Sequence, residues 1–174
     1  MKRYALVLGM AALVAAGGRM SAAQGINDAQ IAAIVVTANQ VDIDAGKLAE
    51  TKGSSQQIKD FGKQMATDHA GVNKQAVDLV TRLKVKPEDN PTAQSLKQGG
   101  IDNVKNLNTL SGAAFDKAYI AHEVAYHQAV LDAVDKTLIP GATNADLKAL
   151  LVKVRPAFQA HLDHAKMVQS AIGK

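Results

Sequence analysis

The sequence predicts an all-α protein, an up-down-up-down four-helix bundle with an extra short helix between its second and third long helices. Three observations lead there. Apolar residues recur at alternating spacings of three and four over four long stretches, the stripe of a helix with one buried face. The composition is aliphatic: 47% of the 174 residues are hydrophobic, only 3% are aromatic and Trp is absent. A core of Ala, Val, Leu and Ile suits closely packed helices. Finally, no stretch alternates apolar and polar residues as a half-buried strand does. A chain of this length holds one domain with one continuous core.

Residues 1–23 stand apart. Lys2 and Arg3 form a positive start, Tyr4 to Gly18 an apolar stretch, and Ser21, Ala22 and Ala23 the small residues read by a signal peptidase. A signal peptide cleaved after Ala23 is expected, and a periplasmic mature protein. The apolar stretch is shorter than the roughly 20 residues of a membrane span, so no stable membrane insertion is expected after cleavage. Removing this segment removes Lys2, Arg3 and Arg19 and leaves 17 basic against 16 acidic residues. The formal charge of +4 therefore belongs to the export signal, and a nucleic-acid partner, which needs a clustered basic face, is not expected. With no Cys in the chain, disulfides, thiolate ligands, iron-sulfur clusters and thiol catalysis are excluded.

The domain spans residues 26–172. Helix A opens at Asn27 or Asp28, carries Ile31, Ile34, Ala38, Val41, Ala45 and Leu48 on its seam, and stops at Gly53. Ser54 with Gln57 forms a capping box that opens helix B, whose seam of Ile58, Gly62, Met65, Val72 and Leu79 includes His69. Residues 85–92, with two prolines, are a connection. Residues 93–110, diluted by Gly99, Gly100 and several Asn, read as a short or broken helix across one end of the bundle. Ser111 caps helix C, with Ile120, Val124, Leu131 and Leu138 on a seam that includes His127. Thr143 with Asp146 forms the capping box of helix D, whose seam of Leu147, Leu151, Val154 and Phe158 includes His161. Pro156 should kink helix D about one turn before His161.

Each of three seams thus carries one histidine. At a rise of about 1.5 Å per residue, His69, His127 and His161 lie about 21, 22 and 27 Å from the starts of helices of about 40 Å. All three are near mid-height whichever way each helix runs, and Asp42, about 21 Å along helix A, reaches the same layer. Glu123 sits one turn before His127, and Asp68 flanks His69. Imidazoles and carboxylates projecting inward from facing helices suit a divalent transition metal such as zinc, copper or iron. The candidate ligands are His69, His127, His161, Glu123, Asp42 and Asp68. The rival reading pairs each core histidine with a carboxylate, His69 with Asp42 or His127 with Asp116, and needs no ion. His122 and His164 lie off the seams and read as rim residues; Met65, Tyr119 and Tyr126 read as packing residues first.

Three stretches, "GKLAETKGSSQQIKDFGKQMATDHAGVNKQ", "LSGAAFDKAYIAHEVAYHQAVL" and "RPAFQAHLDHAKMV", resemble in order the landmarks of a widespread exported bacterial family, domain-of-unknown-function family 4142, which is grouped with the ferritin-like four-helix superfamily. The resemblance runs from about Ile26 to Ile172. It puts Asp68, His69, Phe115, Asp116, Tyr119, His127, Pro156 and His161 on landmark positions and makes His122 and His164 additions. It implies a ferritin-like bundle and no established activity. The paired Glu-x-x-His motifs of di-iron ferritin-like proteins are missing, which argues against a ferroxidase centre. Members are often labelled outer membrane proteins, yet the sequence lacks the ten-residue alternating strands of a barrel. No Ser-His-Asp set, phosphate loop or dinucleotide fingerprint points to another reaction, so metal holding, an envelope-stress or interaction role, and a redox enzyme are weighed in that order.

Overall fold

The structure, a computed structural model, describes residues 25–173; the expected signal peptide lies outside them. All regular structure among the described residues is helical: α1 (Asp28–Lys52), α2 (Gln56–Arg82), α3 (Pro91–Asn108), α4 (Gly112–Ala133), a π-helical turn (Val134–Leu138), the single turn α5 (Ile139–Gly141) and α6 (Ala145–Ile172).

Polar ties at the two ends set how the helices meet. At one end Asn27 and Gln30 form a reciprocal capping box on α1, while the Asp28 carboxylate accepts hydrogen bonds from the Thr143 hydroxyl and from the N–H groups of Thr143 and Asn144, the latter two at 2.9 and 3.0 Å. The start of α1 is thereby fastened to the start of α6. At the other end Asp116, near the start of α4, accepts from the Ser54 N–H (2.8 Å), the Ser54 hydroxyl (2.7 Å) and the Ser55 N–H (2.9 Å). Burial pushes the Asp116 carboxyl upward, but the hydrogen bonds from Ser54 and Ser55 outweigh it and hold the group below its ordinary value.

These ties displace two expected caps. Ser54 is taken by Asp116, so Ser55 caps α2 and accepts from the Ile58 N–H. Thr143 is taken by Asp28, so Asn144 caps α6, accepting from the N–H groups of Asp146 and Leu147. Ser111 does occupy the N-cap position of α4 but makes no side-chain cap bond.

The largest departure from expectation is α3. It is an unbroken 18-residue helix, started by Asn90 as cap with Pro91 in its first turn. It lies along α1 rather than across the bundle end. Asn90 donates to the Gln30 carbonyl at its beginning, and Lys52 donates to the Leu107 and Asn108 carbonyls at its end. In between, Gly100 lies against Val41: a Cβ there would come within 2.6 Å of a Val41 methyl. The glycine expected to break this helix instead lets it approach α1.

Because α3 carries the chain back along the full length of α1, α4 starts at the α1–α2 turn. α2 pairs antiparallel with α6 through Arg82–Asp146 at one end and Gln64–His164 toward the other. α4 pairs antiparallel with α6, with Asp135 on Arg155. The four core helices α1, α2, α4 and α6 therefore run up, down, down, up, which corrects the expected up-down-up-down order. The expectation failed because a full-length crossover helix was read as a broken one.

α6 continues through Pro156 without a break. The irregularity falls instead at Val134–Leu138, where the Ile139 N–H bonds to the Val134 carbonyl five residues back. Pro140, just beyond, has no N–H to offer, and its ring crowds the carbonyl four residues earlier.

The apolar core divides in two. One cluster includes Ile31, Val35, Val72, Leu131, Leu151 and Phe158; the other includes Ala45, Phe61, Met65, Phe115, Tyr119 and Ala165. The buried polar residues Asp42, His69, Glu123 and His127 occupy the helix positions between them, with His161 at the edge of the first cluster, between Phe158 and Leu162. One turn beyond that layer along α1, α1 and α2 touch backbone to backbone. A Cβ on Gly62 would come within 2.6 Å of the Gly46 carbonyl oxygen and 2.7 Å of the Ala49 Cβ, so the chain has no room to yield. Gly62→Ala is expected to lower stability by about 1–3 kcal/mol, read as a fall in denaturation midpoint at unchanged m-value; a neutral result would show that the two backbones can separate.

Candidate metal centre

Four helices feed one layer: Asp42 comes from α1, His69 from α2, Glu123 and His127 from α4, and His161 from α6. All five side chains are buried, Glu123 and His127 completely. The imidazoles of His69, His127 and His161 form a triangle with ring centroids 5.1 to 5.6 Å apart. One ring nitrogen from each lies within 4.8 Å of those of the other two.

Each ring is held by one nitrogen and leaves the other free. His69 Nδ1 is 2.7 Å from Asn39 Oδ1; since the Asn39 amide nitrogen donates to the Val35 carbonyl, Oδ1 accepts and His69 Nδ1 must carry the proton. His127 Nδ1 donates to the Glu123 backbone carbonyl at 3.0 Å. His161 Nε2 donates to Asp68 Oδ2, also at 3.0 Å. The remaining nitrogens, His69 Nε2, His127 Nε2 and His161 Nδ1, have no hydrogen-bond partner and carry lone pairs. This is the arrangement of metal-binding histidines, whose far nitrogen is tied to a carboxylate or carbonyl that fixes tautomer and orientation.

The carboxylates complete the set. Asp42, Glu123 and His127 form a second group within 4.8 Å, and Asp42 Oδ2 stands 3.4 Å from His69 Nε2. Glu123 stands against both Asp42 and the Tyr119 hydroxyl. Three ring nitrogens in one layer are thus left without a hydrogen-bond partner, each at a cost of about 1–3 kcal/mol. Such a concentration demands a reason.

Electrostatics say in which form these groups wait. Burial, reinforced by His127 and His161, pushes the His69 imidazolium down to about 2. Burial likewise lowers His127 to about 4 and lowers His161 despite the nearby Asp68. Burial raises the Asp42 carboxyl to about 7, and burial together with Asp42 raises Glu123 well above the carboxylate range. Burial therefore favours unprotonated imidazoles and a protonated Glu123, while Asp42 changes charge near neutrality. A divalent cation would supply the positive charge that allows both carboxyls to ionise. Three nitrogen and two oxygen donors fit zinc, copper or iron and offer no thiolate.

The structure brings together five of the six candidate ligands. Asp68 is the exception: its side chain is 44% exposed and stands behind His161, where it orients the ring. Asp116, weighed as a partner of His127, is at the α1–α2 turn instead. His122 is half-buried and stacks on Tyr126, while His164 bonds to Gln64 and meets the Phe61 ring edge-on. Met65 is core packing, and the Tyr126 hydroxyl donates to the Ala38 carbonyl. Sequence reasoning missed Asn39, which sets the His69 tautomer. Its signal was a polar amide three residues before Asp42 on an otherwise apolar stretch.

No curated protein and no solved structure matches the chain. The family model described as "Domain of unknown function (DUF4142)" matches residues 12–168, taking in the whole buried layer and every residue that lines it. The protein belongs to the DUF4142 family.

Proposed function

We propose that this protein is an exported, periplasmic bundle of the ferritin-like kind that holds a divalent transition metal. His69, His127 and His161 are the nitrogen ligands, Glu123 and Asp42 the oxygen ligands, and Asn39 and Asp68 orient the rings. The observation that carries this reading is that three buried imidazoles each bring a ring nitrogen within 4.8 Å of the other two, while one nitrogen of each ring is tied down and the other has no hydrogen-bond partner. The single long crossover between the second and third core helices supports the ferritin-like assignment, being the connectivity of that class. When bound, the ion supplies a buried positive charge that compensates both carboxylates. Five protein donors fill four or five coordination positions, the closed arrangement of a holding site rather than the open one of a catalytic site. The role is therefore sequestration, delivery or protection against metal stress in the envelope.

The rival reading, carboxylate-paired histidines without an ion, accounts for the His161–Asp68 bond and for the approach of Asp42 to His69 Nε2 at 3.4 Å. It leaves His127 Nε2 and His161 Nδ1 unexplained.

Protein purified from the periplasm is expected to begin at Gln24 and to carry stoichiometric metal by elemental analysis. The His69→Ala/His161→Ala variant is expected to lose it. Zinc at 100 times its Kd should stabilise the wild type by about 2.7 kcal/mol and leave the variant unmoved. A metal-free wild type whose melting temperature ignores both zinc and chelator would return the histidines to the rival reading.

The pH dependence follows from Asp42. Its carboxyl, raised from 3.8 to about 7 in the folded protein, keeps a proton that the unfolded chain releases, so the metal-free protein loses stability as pH rises across that window. With His69 held at about 2 and His127 at about 4, these rings are unprotonated above about pH 5, and there the protons of the Asp42 and Glu123 carboxyls are the ion's main competitors. The zinc-induced rise in melting temperature is expected to be larger at about pH 7.5 than at about pH 5.5. Equal shifts at both would remove Asp42 from the ligand set.

A further inference from the structure

The polar layer is not sealed on every side. A cavity of about 270 Å³ lies among α1, α4 and α6, with Asp42 and His69 at its inner end and aliphatic side chains such as Val35, Val130 and Val154 on its walls. Its outer end is marked by Thr92, Ala129 and Thr137, all exposed. The cavity thus leads from the surface to the cluster. Nearly every polar group at its inner end is already engaged: Asn39 with His69 and Val35, and Tyr126 with Ala38. What remains is the Asp42 carboxyl and the unpartnered His69 Nε2, both members of the ligand set.

A second observation bears on the same wall. Val134, Thr137 and Leu138 of the π-helical turn all line the cavity. A π turn inserts one extra residue into the helix and redirects its side chains, and such turns gather at functional sites. Here it shapes the chamber that opens onto the layer.

We propose that this cavity binds a short-chain aliphatic monocarboxylate. The tail lies among the aliphatic walls, and the carboxylate reaches the ion in place of Asp42, whose position it takes over. The chemistry of the head follows from its surroundings. No Lys or Arg lines the cavity, so an anion at the inner end faces only Asp42 unless the ion is there to attract it. Asp42 shows which donor type the position takes: a carboxylate from the ligand reproduces a carboxylate from the protein. Size selects the tail, since a cavity on the order of 150 Å³ accepts benzene and this one accommodates about ten non-hydrogen atoms, the size of octanoate. The assignment rests on the metal reading given above.

Octanoate is the probe, titrated calorimetrically into zinc-loaded protein, metal-free protein and zinc-loaded Ala133→Phe, in which a ring fills the cavity that Ala133 lines. The zinc-loaded protein is expected to bind octanoate at least about tenfold more tightly than the metal-free protein. Ala133→Phe is expected to keep stoichiometric zinc and lose octanoate affinity by at least about tenfold. Equal affinity with and without zinc, or full affinity in a zinc-loaded Ala133→Phe, overturns the proposal. Cobalt(II)-loaded wild type gives a readout that requires no variant to fold: octanoate should change its visible absorption spectrum, and an unchanged spectrum overturns the proposal. Failure of the metal reading shows itself separately, as wild type that takes up neither zinc nor cobalt, and it removes this assignment too.

Discussion

A buried imidazole presents two nitrogens on opposite sides of a rigid ring, and a helical bundle has few ways to satisfy both. In this protein one nitrogen of each ring is given to a fixed acceptor: the Asn39 amide, the Glu123 carbonyl or the Asp68 carboxylate. That tether settles which nitrogen is left with a lone pair and where it points. Orienting groups come from three helices, and the free nitrogens are all buried. The rest of the layer depends on this choice. Without the tethers the rings could rotate or exchange tautomers, and three lone pairs would not share one volume.

The tethers work only if the helices stay in register, because advancing a helix by one residue turns its side chains by about 100°. Two carboxylates guard that register from the ends. Asp28 fastens the start of α1 to the start of α6, and Asp116 fastens the start of α4 to the turn into α2. Gly46 and Gly62 add a contact that side chains cannot cushion. Each of these features is remote from the polar layer, and each constrains the height at which a ligand residue enters it. The division of the apolar core into two clusters follows: hydrophobic packing above and below encloses a polar plane that it does not itself satisfy.

Much of this could be read from the chain before folding, and the reason is periodicity. The seams of α1, α2, α4 and α6 repeat with the helical period, so a histidine on a seam is legible as buried, and simple rise per residue was enough to bring His69, His127 and His161 to one level. Direction was not legible. α3 contains Gly99 and Gly100, whose low helix propensity argued for a break, while the compensating contact of Gly100 with Val41 exists only in three dimensions. Missing that contact reversed the inferred orientation of α4. The heights survived the error because each histidine sits near the middle of its helix. Caps misled for a related reason: Ser54 and Thr143 are good local caps, but Asp116 and Asp28 compete for them across 62 and 115 residues of sequence, a separation that no local pattern records.

The crossover helix has a consequence for the order in which the layer comes into being. Its five side chains are spread over four helices, and Glu123 and His127 alone share one. A ribosome delivers Asp42 first and His161 last, with the whole of α3 made in between. No partial chain ending before α6 contains all three imidazoles, so the full set of donors cannot trap an ion during synthesis. Completion of the last helix acts as a gate in time: the five side chains can first meet only in a chain that already includes α6.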